Sequence, residues 1–456
     1  MELINKTPFP ALMYSAADAH RDEHRIVVMK VSYKIIRKAQ DEWGLELIQD
    51  GSIPLCLADE FWGEVGQSSV KIESDLAPYK PKCDVIVNGS AHSPNGKEME
   101  AIAVRLKLSV PEKKEQLKEP QAPQALNPNM PLTQTQMQQW KKEQEHYQAA
   151  LKAQKPPSYQ VQLEKTLSVL GESVFKPNVM MPGWKRSSIT VFKQQPIRWE
   201  YAFGGHHFLK LNEQDSDAFY SNMCYSNPLG MGWVAQDYFE QCEKLNARKK
   251  QQVCSHYKTI HAPQIEYHLQ RQPKPAIVKQ AQIKTEVTAK DLAKLAQKYP
   301  YKPAGFGFVG RSWVPRIAYA GTYDQKWLDE QHPYPPLDMN YAYWNGAPED
   351  QQIDFFYPRS RLELWNLTAP EHAKNGYLKV DFLGHRPFIV MHFQEGGAVP
   401  FPMITETLLI DTDAMTISLT HKAWIRSDTA PLAYVEAHFS DQAEGELFKF
   451  EHTLTE

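Results

Sequence analysis

Five cysteines in 456 residues, at positions 56, 83, 224, 242 and 254, are odd in number, widely scattered and too few to staple a chain of this size, so the sequence points to a reducing compartment. Long apolar runs are missing as well. Nowhere does an uninterrupted stretch approach the roughly 18 residues that a membrane helix needs, and residues 1–15 lack the basic patch and apolar core of a secretory leader. The expected location is cytoplasmic, with no membrane partner. Charge of one sign is missing too. The 51 Lys and Arg against 54 Asp and Glu leave a formal charge of −3, with no broad field to attract phosphate backbones, so no nucleic acid is expected as a partner.

What is abundant is proline, with 33 residues, and tryptophan, with 11; together they imply many rigid turns and large packing anchors between short elements. Hydrophobic residues at 42% and charged residues at 23% are ordinary globular usage. Period-two alternation or β-branched runs occur at 25–36, 101–110, 160–170, 188–193, 378–383 and 388–393. Near the C-terminus, 407–410 and 415–425 flank Asp411-Thr412-Asp413-Ala414, whose short polar side chains suit a hairpin turn, and 433–439 alternates again. The expected fold is mainly β, of α+β type: several antiparallel sheets with many Pro and Gly turns, a few short helices and one inserted helical arm. Its parts are a β-rich N-terminal portion, 1–110, a Gln-rich arm, 111–159, and a β-rich body, 160–456, packed with the first.

Within the arm, Thr133 and Gln136 form a capping-box pattern, and Met137, Trp140, Tyr147 and Leu151 fall on one helical face before Pro156 and Pro157. That stripe packs on the body or docks a partner. A second helix is expected over 234–248, and a third from Thr288, with Asp291 at its third position, to before Pro300.

Chemistry-bearing motifs are weak. Gly305-Phe306-Gly307-Phe308-Val309-Gly310 matches the dinucleotide fingerprint literally, but Pro300 and Pro303 precede it and Pro315 follows, where a strand and a helix are needed. A tight aromatic-packed turn is the better reading, and no cofactor is expected. Gly89 to Gly96-Lys97 has the wrong spacing for a phosphate loop, and Glu98 stands where Ser or Thr would hold magnesium. Cys242, Cys254, His256 and His261 lack zinc-site spacing, so no metal is expected. His20 and His24, among Asp18, Arg21, Asp22 and Glu23, read as a solvated turn.

The acid cluster Asp59, Glu60, Glu64, Glu73 and Asp75 offers paired carboxylates for acid–base work, or ion pairs and turn hydrogen bonds beside Phe61, Trp62, Tyr79, Lys80 and Lys82. Arg198-Trp199-Glu200-Tyr201-Ala202-Phe203-Gly204-Gly205 reads either as a binding constellation or as a core strand before a turn; the same choice applies to Arg311, Trp313, Arg316, Tyr319 and Tyr323-Asp324.

In order along the chain, these segments resemble a family. Leu57-Ala58-Asp59-Glu60-Phe61-Trp62-Gly63-Glu64, Glu73-Ser74-Asp75-Leu76-Ala77-Pro78-Tyr79-Lys80-Pro81, Trp199 to Gly205, Asn227-Pro228-Leu229-Gly230-Met231-Gly232, Trp313-Val314-Pro315-Arg316, Ala320-Gly321-Thr322-Tyr323-Asp324 and Ala347-Pro348-Glu349-Asp350-Gln351-Gln352 are similar to a bacterial domain-of-unknown-function family encoded in type VI secretion gene clusters. The stretches 111–159 and 234–262 read as insertions between motifs. The resemblance implies a non-enzymatic cytosolic adaptor or chaperone that binds a toxic effector and helps load it onto the VgrG/PAAR spike. Candidate protein-binding residues are Trp199, Glu200, Tyr201, Phe203, Trp313, Arg316 and Tyr323, with Met137, Trp140, Tyr147 and Leu151 of the arm. The alternative is a carboxylate-dependent hydrolase using Glu60, Glu64 and Asp75.

Overall fold

Strand alternation gives the largest sheet two different faces. In the strand Glu23–Ala39, Val27, Met29, Val31 and Tyr33 are buried in the main core, while Ile26, Val28, Lys30 and Ser32 between them are buried on the opposite face. The computed structural model describes residues 2–112, 134–153, 158–212, 218–279, 288–426 and 428–441.

Seven strands form this sheet. Their order is Ala11–Ala17, Glu23–Ala39, Thr416–Arg426, Ile404–Asp411, Cys83–Asn88 and Gln352–Ile353, with Glu42–Leu47 also paired to Glu23–Ala39. A five-stranded sheet runs Ile265–Tyr267, Tyr159–Leu170, Ala101–Pro111, Arg361–Trp365 and Tyr377–Asp381; a four-stranded one runs Glu2–Asn5, Leu432–Ser440, Arg386–Phe393 and Ala398–Pro402. One contiguous apolar core draws on all three, through Val85 and Ile417 of the first, Leu106 and Leu362 of the second, and Ile389 and Val435 of the third. Strands from the first 40 described residues pair with strands from 416–440 in two of these sheets.

The fold is mainly β, as expected, but its sheets are mixed. Cys83–Asn88 pairs in parallel with Ile404–Asp411, and Glu2–Asn5 with Leu432–Ser440. Alternation misleads at 188–193, where only an isolated bridge between Phe192 and Met99 forms; the neighbouring strand is Gln194–Pro196. The hairpin between Ile404–Asp411 and Thr416–Arg426 forms where its turn residues suggest, with the Asp411 carboxylate accepting the Ala414 N–H at 2.8 Å.

Helices of eight or more residues occupy Gln134–Ala153, Gln236–Lys249 and Ala289–Ala296. The last is opened by a capping box of Thr288 and Asp291. Thr133, the expected cap of the first helix, lies outside the described residues, as do Pro156 and Pro157. The connection 113–157 that contains this helix joins two neighbouring strands of one hairpin, Ala101–Pro111 and Tyr159–Leu170; at its base the Glu112 N–H donates to the Ser158 carbonyl at 2.9 Å.

Candidate functional site: a buried ion-pair layer and an aromatic groove

The outer face of the seven-stranded sheet carries Lys30, Ser32, Asp84, Thr407, Ser418, Thr420 and Lys422, all buried. The segment around residues 54–80 and residues 308–347 cover them. Burial of charge is tolerable only when each group is paired and hydrogen-bonded. Here it is. Asp75 forms an ion pair with Lys30, and its two oxygens accept the Cys56 N–H at 2.7 Å and the Thr420 hydroxyl at 2.8 Å. Asp84 accepts from the Lys80 ammonium at 2.8 Å, the Asn345 side-chain amide at 3.0 Å, and the N–H groups of Gly346 and Ala347 at 2.8 and 3.1 Å. Glu406 pairs with Lys422 at 2.8 Å and accepts the Lys80 N–H at 2.8 Å. Glu73 is held by Arg316, whose guanidinium also donates to the carbonyls of Val309 and Tyr343.

The two lysines beside Glu406 respond oppositely to burial. Desolvation opposes charge on Lys80, but the carboxylates of Asp84, Glu73 and Glu406 outweigh it and raise its pKa. For Lys422 desolvation wins over Glu406 and lowers it. A void of about 20 Å³ remains among Lys30, Asp75, Lys80, Glu406, Thr420 and Lys422, room for one water molecule and no substrate.

A second buried cation locks the region around Gly305. Lys165 donates to the Gly305 carbonyl and to Asp350 at 2.8 Å each, and to Gln351 at 2.7 Å. Burial, opposed by Asp350, pulls its pKa down to about 8. Residues 305–310 form no strand–turn–helix unit. Gly305 lies so close to the Trp199 ring that an added Cβ would stand 3.0 Å from it, a tight contact that the ring would have to yield to.

Toward the free end of the same outer face the charges give way to an aromatic groove of about 270 Å³. Ala16, Ala17, Asp18, His24, Ile26, Pro78, Tyr79, Tyr341 and Trp424 line it. The Tyr79 ring meets Trp424 at 5.3 Å and 69° and Tyr341 at 5.7 Å and 77°. His24, expected in a solvated turn, is instead partly buried here beside Asp18.

The family model described as an uncharacterized protein conserved in bacteria, DUF2169, matches residues 20–117 and 147–422. The chain belongs to this DUF2169 family. No curated protein and no solved structure matches it. The DUF2169 match contains every member of the ion-pair layer from Lys30 to Lys422; it omits 118–146, inside the hairpin connection, and runs unbroken through 234–262.

The residues singled out from sequence fall into three groups. Trp199, Phe203, Trp313 and Arg316 are buried: Trp199 and Trp313 meet edge to face in the core, Phe203 packs on Tyr301, and Arg316 serves Glu73. Glu200 clamps the N–H and hydroxyl of Ser69, and Tyr201 packs on the core. Tyr323 is 57% exposed against Trp327, and Met137 is exposed on its helix, with Trp140 and Tyr147 partly so; the Leu151 side chain lies outside the described residues. These groups do not converge on one surface.

The carboxylates of the hydrolase alternative differ in their surroundings. Glu60 and Glu64 are exposed, whereas Asp75 is buried with both oxygens occupied. Asp59 is tied to Arg311 at 3.0 Å. Cys242 and Cys254 share a small core with Leu245 and Tyr257, and among the described residues no three metal-ligating side chains cluster. No described helix is long and apolar enough to cross a membrane.

Sequence reasoning passed over Tyr341 and Trp424, and treated Tyr79 as a neighbour of the acid cluster and part of a family motif, without a binding role. These three come from distant segments, so no spacing unites them. One signal was available: Trp424 falls in phase with Ser418, Thr420 and Lys422 on the polar side of an alternating strand.

Proposed function

We propose that this DUF2169 protein is a cytosolic adaptor or chaperone that binds a type VI secretion effector and helps load it onto the VgrG/PAAR spike, making and breaking no covalent bonds itself. The observation that carries the reading is the division of the outer sheet face. Its charged residues are spent on internal pairing around a void of about 20 Å³, while an open aromatic groove of about 270 Å³ lies beside an edge strand of the same sheet. The first arrangement leaves no room for a substrate; the second suits recognition of an extended protein segment. The resemblance to a family encoded in type VI clusters supplies the effector and the spike as partners.

The test is co-purification of the tagged full chain with the effector and VgrG encoded beside its gene, together with effector level and secretion in a deletion strain. Recovery of the effector and its loss from the secreted fraction on deletion are expected. Recovery of neither protein, with effector level and secretion unchanged by deletion, would sink the adaptor reading.

A further inference from the structure

The aromatic groove has the chemistry of a cation receptor. Its floor is made by Ala16, Ile26 and Trp424 of three adjacent strands, and its walls by Pro78, Tyr79 and Tyr341. The polar atoms of two of the rings are already engaged: Trp424 Nε1 donates to the Pro78 carbonyl at 2.8 Å, and Tyr341 Oη accepts the Ala19 N–H at 3.4 Å. The three rings also offer an occupant π surface, which attracts a positive charge.

The charged groups of the lining agree. Besides the two tyrosines, Asp18 and His24 are the titratable side chains there, and His24 Nε2 lies 3.4 Å from the Asp18 carboxylate. Asp18 accepts the N–H groups of His20 and Asp22 at 2.8 and 2.9 Å. Slight desolvation opposes ionisation of its carboxyl, but the Asp22 N–H and the His24 imidazole hold the pKa below the usual range, so a negative charge persists at the rim. Neighbouring arginines do not fill the groove. Arg21 donates to the Glu330 carbonyl and lies over the Tyr334 ring, and Arg426 is paired through two bonds with Asp428. Arg25 projects to the opposite face by strand alternation.

Beside the groove lies an unpaired edge. Ala11–Ala17 is the outermost strand of its sheet, and among the described residues no strand pairs with its other side. The bonds from Lys30 N–H to the Pro10 carbonyl and from Asp18 N–H to the Asp22 carbonyl fix the antiparallel phase. Leu12, Tyr14 and Ala16 thus bond inward, and Ala11, Met13, Ser15 and Ala17 turn their amides outward. A strand added here would drop alternate side chains over the face that holds the groove.

We propose that an extended segment of the partner pairs with Ala11–Ala17 and seats one arginine or lysine side chain between Tyr79, Tyr341 and Trp424, with Asp18 as counter-charge. The partner's identity as an effector rests on the adaptor reading above; the ligand chemistry rests on the groove. A volume of about 270 Å³ falls just below the usual range for a drug-sized ligand and accommodates one long side chain.

The test uses the full chain and a fluorescein-labelled heptapeptide, Thr-Val-Thr-Arg-Thr-Val-Thr, beside the same peptide with citrulline, the neutral isostere, in place of arginine. Anisotropy titrations are expected to show at least tenfold tighter binding of the arginine peptide. Tyr79→Ala, at a residue 40% exposed, should weaken it by about tenfold, and Asp18→Asn by a smaller factor. Trp424→Leu serves as a second variant, with its fold checked by circular dichroism. Equal affinity for the two peptides, no binding of either at millimolar concentration, or wild-type affinity in Tyr79→Ala and Trp424→Leu each overturns the proposal. The two readings separate cleanly. Effector recovery undiminished in Tyr79→Ala removes the groove and spares the adaptor, whereas arginine-selective peptide binding without any effector or spike protein removes the adaptor and spares the groove.

Discussion

Replacing Asp84 by Asn tests whether the outer sheet face is held by charge. The carboxylate is fully buried and accepts four donors, from Lys80, Asn345, Gly346 and Ala347. Asn presents one oxygen and an NH₂ group, so at least one donor is left facing another donor, and the Lys80 ammonium loses its counter-ion. Breaking one partner of a buried pair costs about 3–5 kcal/mol. The reverse change, Lys80→Met, should cost less, about 1.5–3 kcal/mol, because three N–H donors still solvate Asp84. The double variant removes both charges. It should fall short of the sum of the singles by about 1–3 kcal/mol, the coupling of groups in direct contact. Urea unfolding at pH 7 reads this as shifts in midpoint at constant slope. An Asp84→Asn variant within about 1 kcal/mol of wild type, or additive singles, would refute the claim that paired charge fixes this layer.

Two further outcomes follow from the geometry. Burial depresses the His421 pKa from its ordinary 6.5 to about 3; between those values the unfolded chain binds a proton that the folded chain refuses, so stability falls as pH drops through that window, by roughly 5 kcal/mol at most. His421→Gln should lose less stability than wild type between pH 6.5 and 4 in urea titrations, and parallel pH profiles would contradict the assignment. Because Glu112 and Ser158 are already hydrogen-bonded across the hairpin, replacing 113–157 by an Asn-Gly turn should leave the thermal midpoint within about 3 °C, and a collapse of stability would mean that this segment packs as part of the core. If effector recovery is also lost, the docking role belongs to that helix.

Local chemistry was legible where a few neighbouring residues decide the outcome. Thr288 and Asp291 make their capping box, and Asp411 to Ala414 turn the hairpin, because each depends on contacts within four residues. Alternation also marked the long strands but failed at 188–193, where the chain makes only one bridge, to Met99. The buried ion pairs were not legible partner by partner. The acid cluster read as a set of ion pairs, but Lys30 and Asp75 are 45 positions apart and Glu73 and Arg316 are 243 apart, so no spacing names the partners, and only the fold brings them together. Trp199, Phe203 and Trp313 illustrate the converse: aromatic clusters read equally well as binding anchors or as core until burial decides.

The ion-pair layer and the groove are mechanically joined, which makes one variant informative about both. The chain segment that carries Tyr79 is fastened to the sheet on either side of it. Lys422 and Tyr14 both donate to the Ala77 carbonyl, Trp424 donates to that of Pro78, and the Lys80 N–H is accepted by Glu406. Lys422→Met removes one of these fastenings and strands Glu406, so the Tyr79 ring loses its fixed position against Trp424. It should therefore weaken binding of the arginine heptapeptide severalfold as well as lower stability by about 3–5 kcal/mol. Lys165→Met is the control, since that cation is equally buried but holds Gly305, Asp350 and Gln351 instead. It should lower stability by less, because Asp350 is 42% exposed and stays solvated when unpaired, and should leave peptide affinity unchanged. Equal loss of affinity in both variants would mean that the groove responds to global stability alone, and that the buried charges beneath Tyr79 have no part in shaping it.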